Sequence, residues 1–189
     1  MAKVRTFIAI DIPAAQKEQI ATLQGQLRAL GARVTWTRPE GIHLTLKFLG
    51  DVDEGQITQV AEAVGRAARG IEPFEVSIAG TGAFPDFRRP RVLWVGVEEP
   101  SGRLKALAQA VELQLLPLGF PREGRDFSPH LTLGRVKDPR GVEPVVRALQ
   151  QTNFVGGSFA VQEVVVMRSD LKPSGAEYTA LHRIALARD

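Results

Sequence analysis

Cysteine is absent from this 189-residue chain, which excludes disulfides, zinc–thiolate sites and a thiol nucleophile. Histidine is scarce, with three in all, and there is no long uncharged apolar run of the kind that crosses a bilayer. The N-terminal stretch meets Asp11 directly after a short apolar run and has no signal-peptide cleavage pattern, so a cytoplasmic location is expected. The net charge is only +3, which permits an anionic ligand without demanding one. What remains, 44% hydrophobic and 24% charged residues, is ordinary for a globular protein. The length suffices for one sizeable core, or for two small lobes sharing one.

The chain repeats itself. Phe7-Ile-Ala-Ile-Asp-Ile-Pro13 aligns with Trp94-Val-Gly-Val-Glu-Glu-Pro100, and His-Leu-Thr-Leu occurs at 43–46 and again at 130–133. Both pairs are offset by 87 residues (100 − 13 and 130 − 43). Alternating apolar residues predict strands at Thr6–Ile12 and Val92–Val97. A proline then opens a helix, where its missing N–H costs nothing. The first helix is expected over Pro13–Leu30, with Ile20, Leu23, Leu27 and Leu30 on its stripe. The second is expected over Pro100–Leu116, with Leu104, Leu107, Ala108, Val111 and Leu115. A connecting stretch and the His-bearing strand follow in each half, then helices at Glu54–Arg69 and Val142–Gln151. Strands at Phe74–Ile78 and Phe159–Met167 follow these, and Tyr178–Leu186 closes the chain. With no low-complexity linker between the halves, residues 1–189 are expected to form a single domain of two repeat-related lobes.

Side chains alternate along a strand, so His43 and Thr45 share one face while Leu44, Leu46 and Phe48 share the other. His130 and Thr132 stand likewise against Leu131 and Leu133. If the lobes are pseudo-symmetric, the two polar faces meet across a cleft. Displacement at phosphorus is roughly in line, with attacking and leaving oxygens on opposite sides. One neutral imidazole can take a proton from water and one protonated imidazole can give a proton to the departing alkoxide. The threonine hydroxyls can donate to the non-bridging oxygens. His182 lies in Leu181-His-Arg-Ile without a companion motif and is assigned no role. Neither copy has a same-face carboxylate next to its histidine, so no metal and no cofactor is expected.

The paired motifs, with Phe7–Pro13, Trp36–Gly50 and Phe127–Arg135 around them, resemble the two-histidine (2H) phosphoesterases. More narrowly, they resemble the RNA 2′,3′-cyclic phosphodiesterases, historically called 2′-5′ RNA ligases. The resemblance implies a bilobal α+β fold with two pseudo-symmetric lobes, antiparallel sheets facing a central cleft and helices outside. It also implies opening of a 2′,3′-cyclic phosphate to a 2′-phosphate, with His43 as proton donor, His130 as acceptor, and Thr45 and Thr132 holding the phosphate. The expected substrates are RNA ends or small cyclic nucleotides, acted on by a monomer with no membrane partner.

Five neighbours are further candidates for contacting RNA. Lys47 shares the His43 face by alternation. Arg135 falls by alternation on the leucine face, though Gly134 could permit a bulge that re-aims it. Trp36, Phe48 and Phe84 could stack a base, with core packing the simpler role for Phe48. Three rival functions remain: nucleotide-independent 2′-5′ ligation by the same residues, a cyclic phosphate that is not RNA, and non-catalytic binding of RNA ends. Keeping both histidines and both threonines argues against the last, which Arg or Lys would serve better.

Overall fold

The structure is a computed structural model and describes residues 1–188. Its elements are β1 (Lys3–Asp11), α1 (Ala14–Arg28), β2 (Val34–Trp36), β3 (His43–Asp53), α2 (Ile57–Ala68), β4 (Phe74–Phe84) and β5 (Val92–Glu98). After them come α3 (Arg103–Leu115), β6 (His130–Val136), α4 (Glu143–Gln151), β7 (Val155–Val161), β8 (Glu163–Lys172) and β9 (Gly175–Ala185).

The expected elements form, with local differences; β4, for one, runs six residues past the expected Ile78, to Phe84, and α2 starts at Ile57 rather than Glu54. The connecting stretch before the first motif contains the short strand β2. Helix α1 ends at Arg28, so Leu30 leaves the buried stripe of Ile20, Leu23 and Leu27 and is 43% exposed. Helix α3 starts three residues beyond Pro100, after Gly102 turns the chain at a φ of 84°. The Glu99 carboxylate accepts the Leu104 N–H at 3.1 Å there, capping the late start. Finally, the apolar run Phe159–Met167 is two strands divided at Gln162, and they join different sheets.

All strand pairings are antiparallel. One sheet has the order β3-β1-β8-β9 and the other β2-β6-β5-β4-β7. The two sheets form two lobes, and the repeated halves of the chain are interleaved between them. Strand β4, from the first half, lies in the second sheet; β8 and β9, from the end of the chain, complete the first. Helices α2 and α3 pack together over the first sheet, whereas α1 and α4 pack together beneath the second. Each sheet is therefore covered by one helix from each half.

One contiguous apolar cluster runs through both lobes, including Ile8, Ile10, Leu44 and Leu46 of the first sheet and Leu93, Val95, Leu131 and Leu133 of the second. Burying each such side chain stabilises the fold by about 1.5–3 kcal/mol. A one-residue slip of either His strand would turn its leucines outward, so burial fixes which face the histidines occupy. A smaller cluster of Phe7, Ala9, Val165 and Met167, flanked by Tyr178 and Ala180, covers the opposite face of the first sheet.

Candidate active site

The leucine burial has its counterpart in a cavity of about 330 Å³ between the sheets, lined by His43, Thr45, His130 and Thr132. The two strands that carry them, β3 and β6, approach each other across the cleft. All four residues are half-buried.

Both imidazoles are held in the same way. His43 Nδ1 lies 2.6 Å from the Gly41 carbonyl oxygen, and His130 Nδ1 lies 2.7 Å from that of Ser128. A carbonyl can only accept, so each Nδ1 carries the proton and each Nε2 is left for a ligand. Aromatic rings complete the support. Phe7 lies 4.5 Å from the His43 ring and Tyr178 meets it edge-on at 5.0 Å. Trp94, in register with Phe7 in the repeat, lies 6.1 Å from His130, and Phe84 meets that ring edge-on at 4.8 Å.

Burial lowers the pKa of both histidines from the ordinary 6.5. At His43 the Gly41 bond and the Asp11 carboxylate oppose that shift, while the Lys17 ammonium adds to it. At His130 the Ser128 bond opposes it and the Arg135 guanidinium adds to it. The surroundings of the two rings are thus electrically unequal although their backbone contacts match.

A bulge in each His strand takes three residues off the faces that simple alternation gives them: it removes Lys47 from the cleft and brings Phe48 and, as Gly134 was expected to permit, Arg135 into it. Alternation fails at Leu46, which is skipped between the pairs Ile8–Lys47 and Ala9–Thr45. Lys47 therefore turns inward instead of sharing the His43 face. It is 3% exposed, and its Nζ donates to Glu112 Oε2 and to the Pro121 carbonyl, both at 2.8 Å. Phe48 correspondingly leaves the leucine face, lines the cavity at 45% exposure, and is covered by the Arg5 guanidinium 4.7 Å from its ring centre. The second copy skips Leu133 between Leu93–Gly134 and Trp94–Thr132, and this turns Arg135 into the cavity.

The second bulge is held by hydrogen bonds that its own displaced carbonyl accepts. The Leu133 oxygen takes the Thr37 N–H at 2.9 Å and the buried Gln24 Nε2 at 2.9 Å. Gly134 is required there, because a Cβ would lie 2.7 Å from Val34 Cγ1 and 3.1 Å from the Trp36 ring. Trp36 accordingly packs on the core side and does not line the cavity. Phe84 supports His130 without lining the cavity. Among the lining residues that went unforeseen are Arg5, Phe7, Ser169 and Tyr178. Alternation from Phe7 and its match to Trp94 could have found Arg5 and Phe7. Ser169 and Tyr178 come from the closing hairpin β8–β9, which has no repeat mate and so no signal.

The cavity's charged lining residues besides the histidines are Arg5 and Arg135, so its field favours an anion. Among the described residues no three His, Cys, Asp or Glu side chains are grouped as a metal site. Two imidazoles facing an anion-attracting cavity, each with a hydroxyl beside it, are the equipment of a phosphoesterase. The model of the LigT-like phosphoesterase family matches the chain twice, over residues 10–94 and 95–178. An RNA 2′,3′-cyclic phosphodiesterase of Methanothermobacter thermautotrophicus is 40% identical over 178 residues, 94% of this chain and 96% of that one. A crystal structure from Thermus thermophilus superposes with a TM-score of 0.81 at 28% identity, covering 96% of this chain and 97% of that one. Escherichia coli LigT complexed with 3′-AMP gives 0.77 at 28% identity, covering 98% and 99%. The chain belongs to the LigT-like phosphoesterase family, the two-histidine class that its motifs resemble.

Proposed function

We propose that the chain hydrolyses 2′,3′-cyclic phosphate at RNA ends to a 2′-phosphate, with the two histidines as its acid and base. The observation that carries this reading is the matched presentation of His43–Thr45 and His130–Thr132 into one cationic cavity. His130, whose Nε2 is free and whose protonation Arg135 disfavours, takes the proton from the attacking water. His43, in its protonated form, donates from Nε2 to the departing 3′ oxygen. The hydroxyls of Thr45 and Thr132 donate to the non-bridging oxygens, and Arg5 and Arg135 balance the charge of the phosphoryl group. The relatives named RNA 2′,3′-cyclic phosphodiesterase supply the substrate class, and the 3′-AMP held by the E. coli neighbour fits a nucleotide-sized site. One chain carries both motifs, so a cytoplasmic monomer completes the site without a second copy.

The test is an oligonucleotide ending in 2′,3′-cyclic phosphate, incubated with the native chain and with His43→Ala and His130→Ala in excess chelator. The native chain is expected to turn over undiminished. Each variant should lose about 10²–10⁴-fold in kcat, the usual share of a positioned acid or base. Near-native turnover in either variant, or loss of native turnover that added metal restores, overturns the mechanism.

A further inference from the structure

The two histidines differ in what stands beside them on the neighbouring strand. Directly paired antiparallel residues share a face, with Cβ atoms about 4.5–5.5 Å apart. The partner of His43 is Asp11, the last residue of β1, whereas the partner of His130 is Gly96. Position 96 has no room for a side chain, since a Cβ there would lie 2.6 Å from the Ala79 carbonyl oxygen. The fold thus admits a carboxylate beside one imidazole and forbids one beside the other.

That carboxylate is itself held in place. Asp11 Oδ1 accepts the Ile12 N–H at 2.9 Å and Lys17 Nζ at 3.1 Å, and Lys17 Nζ also donates to the Glu40 carbonyl at 3.2 Å. Asp11, Lys17 and His43 line a second cavity of about 140 Å³. It shares Gly41, Ile42, His43 and Tyr178 with the larger cavity but is not lined by Thr45, Thr132 or His130. The His43 ring therefore stands between a phosphate-sized site and a buttressed carboxylate.

We propose that Asp11, held by Lys17, is a positioning residue that keeps His43 rather than His130 the protonated member of the pair. Asp11 thereby breaks the symmetry of two otherwise equivalent motifs; its link to catalysis rests on the hydrolase reading above. The other charged or titratable groups around His43 are accounted for. Arg5, Arg135, His130 and Tyr178 face it from the larger cavity, and Glu40 and Arg183 from the smaller one, Arg183 being paired with Glu163 at 2.6 Å. The opposing effects of Asp11 and Lys17 on His43 have the signs this arrangement requires.

The experiment follows the ring Cε1 protons of His43 and His130 by NMR titration without substrate, in the native chain, Asp11→Asn, Asp11→Glu and Lys17→Met. Asp11→Asn should lower the His43 midpoint by about 0.5–1 pH unit, Lys17→Met should raise it, and Asp11→Glu should restore it in part. The His130 midpoint should hold still. In turnover, the alkaline limb of kcat/KM should move with the His43 midpoint, to lower pH in Asp11→Asn. Loosened packing would move both variants the same way, so a His43 midpoint that is unchanged, or lowered in both, overturns the proposal. Opposite shifts with no turnover of the cyclic-phosphate oligonucleotide in the native chain would leave the coupling standing and overturn the hydrolase reading.

Discussion

A hydroxyl two residues after each histidine reaches the cavity only because strand side chains alternate, and nothing else at those positions demands it. Thr45 and Thr132 are half-buried and line the cavity, and among the described residues neither hydroxyl has a hydrogen-bond partner. On the proposed mechanism each stabilises charge on a phosphoryl oxygen. Replacing one by valine keeps the branched shape and removes the donor. Thr45→Val and Thr132→Val should each cost about 10²-fold in kcat, the lower range for loss of one oxyanion donor. Circular dichroism should remain native. A variant with full kcat would assign that threonine to packing alone.

The bulges of β3 and β6 act at the scale of the element, since each changes which residues point into the cleft. At the position five beyond each histidine, one strand presents Phe48 and the other Arg135. A charge-assisted hydrogen bond contributes about 1.5–3 kcal/mol, so Arg135→Met should lower kcat/KM by about 10–100-fold. Arg135→Lys should fall between, because an ammonium lacks the paired donors of a guanidinium; equal kcat/KM in all three proteins would remove Arg135 from the site. The first bulge also turns Lys47 inward onto Glu112, tying β3 to α3 and to the segment leading into the second motif. Breaking a fully buried pair from one side costs about 3–5 kcal/mol. Glu112 keeps 17% side-chain exposure, so about 2–3 kcal/mol is expected for Lys47→Met. Lys47→Met with Glu112→Leu should recover much of it, as urea denaturation would read. If the double variant were no better than the single, the pair would not be what stabilises this junction.

For the molecule as a whole, the interleaving of halves means that neither lobe contains a complete set of its own helices and strands. Both site histidines sit where the lobes meet, and burial lowers both pKa values. The unfolded chain, with ordinary imidazoles, therefore takes up protons before the folded chain as pH falls. The stability linked to these groups is fully present above about pH 6.5 and is lost as pH drops through the folded-state values. The Tm should accordingly fall between about pH 7.5 and about pH 5. It should fall less steeply in the His43→Ala, His130→Ala double variant. An equal slope in both would place the acid sensitivity in other groups.

The helices, most strands and the His–Thr pairs were legible because they depend on local periodicity: spacing of 3.6 in α1 and α3, and of 2 in β3 and β6. The 87-residue repeat added the pairing of the motifs. By itself the sequence thus determined which His and Thr side chains share a strand face, and it pointed to an acid–base pair acting on a phosphodiester. It did not determine where alternation breaks. Bulges depend on a partner strand and on distant groups, such as Gln24 beneath Leu133 and Glu112 beside Lys47, so Lys47, Phe48 and Arg135 were placed only by tertiary packing. The same holds for Tyr178 and Ser169, delivered by a C-terminal hairpin that has no counterpart in the repeat. It holds also for the inequality of the two histidines, which rests on cross-strand register: Asp11 opposite one and Gly96 opposite the other.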